Sequence, residues 1–148
     1  MKVILQRVSQ AQVMVENEII GKIGQGYLLL VGIAQGDEEK DLDWMAKKIK
    51  NLRVFEDENQ KMNLDITQVK GEILAVSQFT LFANCSKGNR PSFTKAASPD
   101  EAQRLFQCFV DQLKLLGLSC QTGKFRAEMQ VSLINQGPVT ISLDSKND

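Results

Sequence analysis

The stretch YLLLVGI at residues 27–33 decides what kind of fold this chain adopts. It carries no charge over its whole length, so we predict a strand that is covered on both faces. A second apolar run at residues 73–82 predicts another buried strand. Before them, residues 3–15 are rich in β-branched side chains, and residues 19–23 follow a polar turn at residues 16–18, a pattern typical of a β-hairpin. The core of the protein is therefore expected to form around a sheet.

Two segments place apolar residues at helical spacing. In the first, Asp37 is predicted to cap a helix whose apolar face extends over residues 42–52. In the second, SPDE at residues 98–101 supplies an N-cap serine, a proline at the first helical position and a glutamate that completes a capping box. This second helix is expected to end at Gly117.

Shorter signals complete the secondary structure. Residues 55–63 are typical of a polar turn between short strands, and the alternating residues at 125–133 predict a half-exposed strand. A turn at residues 135–138 then leads to a last strand at residues 139–143. No linker or repeat divides the chain, and the sum is a sheet-dominated α+β fold with two main helices.

Composition narrows the chemistry further. The 148 residues include 18 Lys and Arg, 18 Asp and Glu, and no histidine. The missing histidine excludes a Ser-His-Asp or Cys-His catalytic unit and any histidine-ligated metal site. The net charge of zero argues against a broadly basic nucleic-acid binder, although a local basic patch stays open. The chain has no glycine-rich phosphate loop and no zinc-binding cysteine spacing, so we expect neither a cofactor nor a metal.

The cysteines and the apolar runs indicate where the protein resides. Three cysteines without C-x-x-C spacing are typical of reduced thiols rather than of a disulfide framework. The first residues lack the apolar run of a signal peptide, and the longest apolar stretch, residues 27–34, is too short to span a membrane. We therefore expect a cytoplasmic protein without membrane contact.

Three segments contain residues that a purely structural role would not require. SQFTL at residues 77–81 places hydroxyls and an amide in a predicted buried strand, where they either satisfy one another and the backbone or face a cavity. No acid opposes Lys87, Arg90 and Lys95, so these cations form either a solvated loop or a site for a phosphate-bearing substrate. NQGPVT at residues 135–140 holds a Gly-Pro pair, for which a trans peptide bond is the more common form.

In this order, the three segments resemble the D-aminoacyl-tRNA deacylase family. The SQFTL and NxGPVT motifs carry the likeness most specifically, and further matches extend along the whole chain. These are LQRV at 5–8, GxGxLL at 24–29, KMN at 61–63, GxRPSF at 88–93, GxF at 123–125 and AxMxV at 127–131. Gln136 and Arg126 depart from the family, in which Asp and a small residue, respectively, are usual.

The resemblance implies a homodimeric hydrolase with a barrel-like fold in which residues 1–148 form one domain. Its substrate would be a D-aminoacyl-tRNA, cleaved at the ester that joins the D-amino acid, or a mischarged glycine, to the terminal adenosine. Gly137 and Pro138 would reach through a cis peptide bond into the active site of the other subunit. Their main-chain oxygens would bind the α-amino group of the substrate and exclude an L side chain.

The resemblance also assigns individual residues to the site. Catalytic positions on the opposite wall would be Ser77, Gln78, Phe79 and Thr80. The backbone N–H groups of Phe79 and Thr80 would stabilise the developing oxyanion. Substrate-binding positions would further include Arg7, Phe125 and Met129, and tRNA-binding positions would be Lys87, Arg90 and Lys95.

One mechanistic choice and two other functions stay open. As a nucleophile, Thr80 needs an adjacent base and none is evident, so attack by water, assisted by the ribose 2′-hydroxyl of the tRNA, is the favoured mechanism. One other function is a module that binds RNA or a small ligand without hydrolysis. The second is a hydrolase that depends on Cys85, although that thiol lacks a histidine to activate it.

Overall fold

In the computed structural model, which describes residues 1–148, six strands form one curled sheet. The strands are β1 (Lys2–Val15), β2 (Glu18–Ile23), β3 (Gly26–Gly32), β4 (Phe55–Glu56), β5 (Met62–Leu64), β6 (Glu72–Ser77), β7 (Ser119–Thr122) and β8 (Gln130–Asp144). The helices are α1 (Glu39–Asn51), a short 3-10 helix (Phe79–Phe82) and α2 (Pro99–Leu115). Strands β4 and β5 form a separate hairpin at the predicted polar turn.

The strand order explains how the sheet curls. It is β2-β1-β3-β6-β7, and β8 pairs with β1 along nearly all of its length. Strands β3, β6 and β7 run parallel to one another, whereas the other pairs of the sheet are antiparallel. At the two ends of the order, the Lys22 N–H of β2 donates a 2.8 Å hydrogen bond to the side-chain oxygen of Gln121 on β7. The ends of the sheet therefore meet, and the predicted barrel-like α+β fold with two helices is confirmed.

The central strands contribute to two apolar cores, because successive side chains of a strand point to opposite faces. On one face, Leu29 of β3 and Ile73 of β6 belong to a large cluster that includes the buried sides of α1 and α2. On the other face, Leu28 and Leu74 belong to a smaller cluster with residues of β1 and β2, inside the curl of the sheet. Strand β3 is thus covered on both faces, as its sequence predicts.

Several strand boundaries differ from those predicted. The strand predicted at residues 73–82 ends at Ser77, and a 3-10 helix follows. The strand predicted at residues 125–133 begins only at Gln130. It then continues to Asp144, so that the predicted turn at residues 135–138 is a bulge within β8 and not a break between two strands. Strand β7 was not predicted at all.

The helix starts also depart from the predictions in detail. Glu38, not Asp37, is the N-cap of α1, because both oxygens of Asp37 accept hydrogen bonds elsewhere, from the Ala34 N–H and the Met1 amino group, each at 2.7 Å. Ser98 does precede α2, but its side chain makes no capping hydrogen bond. Glu101 binds the guanidinium of Arg104 at 2.8 and 3.0 Å and so does not close a capping box. Neither helix has the length and apolarity needed to cross a membrane.

Candidate active site

A cavity of about 650 Å³ opens at the carboxyl end of β6. It is bounded by β3, β6, the start of α2 and the residues that lead into β8, and 13 of its 17 lining residues are hydrophobic. Of the predicted site residues, those that line the cavity are Ser77, Gln78, Phe79, Phe125 and Met129. A cavity of this size and character is typical of a small-molecule site, and it has room for an aminoacyl nucleoside.

The SQFTL segment lies at the end of a strand and not within one. The Gln78 N–H continues the β6 ladder with a 2.7 Å hydrogen bond to the Val31 carbonyl, and the chain then turns, with the Leu81 N–H donating to the Gln78 carbonyl. Ser77 and Gln78 are half-buried at the cavity wall, while Phe79 and Thr80 are exposed. Ser77 and Gln78 therefore line the cavity, Thr80 lies outside its lining, and the interpretation that these polar groups are buried within the strand is wrong.

Thr80 is exposed and has no base beside it. Its Oγ accepts a hydrogen bond from the Gln78 side-chain amide, and no other side chain binds it. Its backbone N–H, like that of Phe79, lies at the start of the 3-10 helix, where amide donors have no acceptor within the helix. The segment therefore offers backbone and amide donors, but no group that would deprotonate a threonine hydroxyl.

The segment that carries the cations Lys87, Arg90 and Lys95, called here the cationic segment, adjoins the cavity through Phe93. This side chain lines the cavity and packs edge-on against Phe79, with ring centroids 5.0 Å apart. The preceding loop is closed at its base by paired backbone hydrogen bonds between Asn84 and Ser92, at 2.7 and 3.0 Å. Three exposed cations that form no salt bridge lie within or next to this loop and outside the lining of the cavity, namely Lys87, Arg90 and Lys95.

The Gly137–Pro138 pair forms an outward bulge of β8. Asn135 pairs with Val8 and Thr140 with Gln6, so that residues 136–139 stand opposite a single residue of β1. The Gly137–Pro138 peptide bond is cis, and Gly137 has a φ of +135°. A Cβ on Gly137 would lie 2.8 Å from the Cγ2 of Val139 and 3.0 Å from the Nη2 of Arg7, so that no larger residue fits this backbone.

Arg7 stabilises the bulge through its side chain. Its buried guanidinium donates from Nε to the Gln136 carbonyl at 2.9 Å and from Nη1 to the Val54 carbonyl at 2.5 Å, and it forms an ion pair with Glu56 at 3.6 Å. In this chain Arg7 therefore does not line the cavity. Its assignment to substrate binding stays a prediction, and the structure gives it contacts that position the bulge.

Asn135 braces the same bulge, a role that was not predicted from the sequence. Its Oδ1 accepts the Val139 N–H at 2.8 Å, and its Nδ2 donates to the Oγ of Thr140 at 2.9 Å. An Asn two residues before a Gly-Pro pair is a sequence signal for such a role, because Asn side chains often bind backbone groups a few residues further on. Gln136 takes part in this arrangement through its backbone carbonyl. Either an Asp or a Gln side chain at this position is therefore compatible with the bulge.

The register of the sheet separates the bulge from the cavity of the same chain. Ser77 pairs with Val31 on β3, whereas Arg7, which lies opposite the bulge, pairs with Tyr27. Four residues along a strand correspond to about 13 Å, and the three strand spacings from β6 to β8 add about 14 Å across the sheet. Neither Gly137 nor Pro138 lines the cavity.

The cysteines are not placed for catalysis. Cys85 is exposed and lies outside the cavity lining. Burial raises the pKa of the Cys120 thiol to about 11, which keeps it protonated at neutral pH. No group of three or more Cys, Asp and Glu side chains is arranged to hold a metal ion.

Comparison with known proteins gives a consistent result. A sequence model of the family described as D-Tyr-tRNA(Tyr) deacylase matches residues 4–144. Proteins named D-aminoacyl-tRNA deacylase from Chloroherpeton thalassium and Flavobacterium psychrophilum are 56% and 55% identical to the chain. The matches cover 98% and 99% of this chain, and 96% and 99% of those proteins, respectively.

Two solved structures are also similar. One, named c-Myc DNA Unwinding Element Binding Protein, has a TM-score of 0.91 and 44% sequence identity, over 97% of this chain and 98% of its own. The other, described as a structural analysis of a probable eukaryotic D-amino acid tRNA deacylase, has a TM-score of 0.82 over 96% of this chain and 97% of its own. At 15% identity, the second likeness concerns the fold alone.

Proposed function

The chain belongs to the D-Tyr-tRNA(Tyr) deacylase family, and we propose that it hydrolyses the ester bond between a D-amino acid and the 3′-terminal adenosine of tRNA. The observation that carries this proposal is the SQFTL turn at the wall of an apolar cavity, with an exposed cationic segment beside it. The largely apolar cavity suits the aminoacyl-adenosine end, which carries no phosphate beyond the adenosine, and the cations Lys87, Arg90 and Lys95 suit the phosphates of the tRNA arm. Aminoacylated tRNA is used in the cytoplasm, which is where we place the reaction.

Hydrolysis of this ester makes modest chemical demands on the protein. Water attacks the ester carbonyl carbon, the bond to the ribose 3′-oxygen breaks, and that oxygen takes up a proton, which releases the amino acid and intact tRNA. The backbone N–H groups of Phe79 and Thr80 would stabilise the negative charge that develops on the carbonyl oxygen. The 2′-hydroxyl of the same ribose would orient the water and relay its proton. Thr80 would act as a binding residue, since its hydroxyl contacts only the Gln78 amide.

We further propose that discrimination between D and L substrates occurs across a homodimer. Gly137 and Pro138 are exposed, and neither lines the cavity of its own chain. In a two-fold dimer, the bulge of each subunit would enter the cavity of the other. The main-chain oxygens of Gly137 and Pro138 would bind the α-ammonium group and leave no room for an L side chain. Glycine has no side chain to exclude, so glycyl-tRNA would be cleaved as well.

Subunit complementation tests this arrangement. Gly137→Ala disables the bulge, and Met129→Trp fills the cavity. In a mixed dimer, one site would contain both defects and the other would contain neither. After the two inactive variants are unfolded together and refolded, about a quarter of the wild-type activity should return, because about half of the dimers are mixed and each has one intact site. If each site belonged to a single chain, the refolded mixture would stay inactive.

A second candidate function is nucleic-acid binding without hydrolysis. It is favoured by the name of the 44% identical structure, which refers to a DNA element. The net charge of zero argues against broad phosphate binding. The release of labelled D-tyrosine from D-tyrosyl-tRNA separates the two functions. A deacylase speeds that release in proportion to its concentration, whereas a binder leaves the ester at its spontaneous rate.

A further inference from the structure

Arg126 is the one charged residue among the residues that line the cavity. It is exposed, and its guanidinium takes part in no hydrogen bond or salt bridge within the chain. The acid nearest to it in sequence, Glu128, does not pair with it. An otherwise apolar cavity thus carries a single cation with all its donors free, and such a cation is expected to bind an anionic group of a ligand.

The backbone at Arg126 supports a role for its side chain. The loop from Lys124 to Ala127 is closed by a 3.2 Å hydrogen bond from the Ala127 N–H to the Lys124 carbonyl, and Arg126 adopts a φ of +63°. Glycine adopts this conformation without steric cost, whereas a residue with a Cβ does not. The chain nevertheless places a long cationic residue there, next to Phe125 at the cavity wall. Of the five non-glycine residues of the chain with a positive φ, Arg126 is the one that lines the cavity.

The charges of the substrate indicate which part of it Arg126 would contact. The proposed substrate carries a positive α-ammonium group at its aminoacyl end and a negative phosphodiester on the 5′ side of the terminal adenosine. A guanidinium repels the first group and binds the second, often through two parallel hydrogen bonds. By its charge, Arg126 therefore fits the nucleotide end of such a substrate and not its aminoacyl end.

Resting on the proposed deacylase function, we propose that Arg126 is a substrate-positioning residue that binds the phosphodiester group on the 5′ side of the terminal adenosine. It would fix the nucleotide so that the ester carbonyl lies against the SQFTL turn. The residue would contribute to the binding of the tRNA end and to the register of the ester, but not to the bond-breaking step itself.

A pair of small substrates isolates this contact. One is the 3′-D-tyrosyl ester of adenosine, and the other is the same ester with a methyl phosphodiester on the 5′-oxygen. The wild-type protein is expected to cleave the phosphodiester substrate with a kcat/KM about 10- to 100-fold higher, the range expected for a hydrogen bond to a charged group. Arg126→Gln should abolish this preference and leave the adenosine ester unaffected. Arg126→Lys should restore part of the preference, and Lys124→Gln, in the same turn but outside the cavity lining, should leave it intact.

Intact substrate supplies an independent readout. With D-tyrosyl-tRNA, Arg126→Gln should reduce the slope of log(kcat/KM) against log[salt] by about 0.7, as expected when one contact to a single-stranded phosphate is lost. The inference is overturned if Arg126→Gln lowers cleavage of both small esters equally, or alters neither the preference nor the salt slope. A wild-type protein that cleaves neither small ester nor D-tyrosyl-tRNA would instead refute the deacylase function on which the inference rests. Arg126→Gly, which relieves the backbone at this position, serves as a second variant and should behave as Arg126→Gln does.

Discussion

The Nε of Arg7 donates a 2.9 Å hydrogen bond to the carbonyl oxygen of Gln136, across the point where the β1–β8 ladder opens into the bulge. This contact ties a buried cation in the centre of the sheet to the residue that precedes Gly137. Asn135 holds the other side of the bulge through its bonds to Val139 and Thr140. The exposed Gly-Pro pair is therefore held in place on both sides, as its proposed role in selecting between mirror-image substrates requires.

Gly137→Ala should lower kcat/KM for D-tyrosyl-tRNA by at least about 100-fold, the cost of shifting a positioned group by about 1 Å. The new methyl group would stand 2.8 Å from Val139 and 3.0 Å from Arg7, so the bulge must shift. Gly36→Ala is the matched control, because Gly36 also has a positive φ, of +77°, but no atom lies within 4 Å of the position that its new methyl group would take. Equal activity of the two variants would contradict the proposed role of the bulge.

Thr80→Ala should retain activity within about 10-fold of the wild type, since it removes one hydrogen bond and no nucleophile. The measurement is single-turnover hydrolysis of D-tyrosyl-tRNA, with circular dichroism to show that the fold is intact. Complete loss of activity in a folded variant would mean that Thr80 attacks the ester itself.

The decrease in the free energy of unfolding at acid pH should depend on Asp41. Burial alone would raise the pKa of Asp41, but hydrogen bonds from the Lys146 ammonium, the Glu38 N–H and the Ser145 hydroxyl hold that pKa below its usual value of 3.8. A carboxyl group whose pKa is lower in the folded than in the unfolded state stabilises the fold above its unfolded pKa, and this contribution is lost as the pH falls through the folded pKa. Between pH 6 and pH 2, Asp41→Asn should therefore show a smaller loss of unfolding free energy than the wild type. Denaturant titrations at each pH check this, and parallel curves would refute it.

The apolar pattern of the sequence was sufficient to predict a sheet-dominated fold and both helices, because the spacing of apolar residues such as Leu29 and Leu105 indicates the burial of β3 and of the helix faces. It could not predict where β6 ends. That boundary depends on its neighbour: β3 ends at Gly32, where the Cβ of any other residue would lie 3.2 Å from the Gln78 carbonyl. The end of a strand is thus fixed by the partner strand as well as by its own side chains.

The site was predictable in its motifs but not in their arrangement. SQFTL and NxGPVT were recognisable as sequence, yet the continuation of β8 through the Gly-Pro pair depends on β1, which pairs with it on both sides of the bulge. Likewise, no local pattern indicates that Arg7 reaches the Val54 carbonyl, 47 residues away in sequence. Contacts of this kind exist only once the sheet has formed.

The proposed selectivity is tested by the hydrolysis of D-tyrosyl-tRNA and L-tyrosyl-tRNA by the same preparation, each corrected for its spontaneous rate. We expect the D ester to be cleaved with a kcat/KM at least about 100-fold above that of the L ester, because the proposed contact with the Gly-Pro pair leaves no room for an L side chain. Cleavage of both esters at the same rate, or of neither above its spontaneous rate, would contradict it.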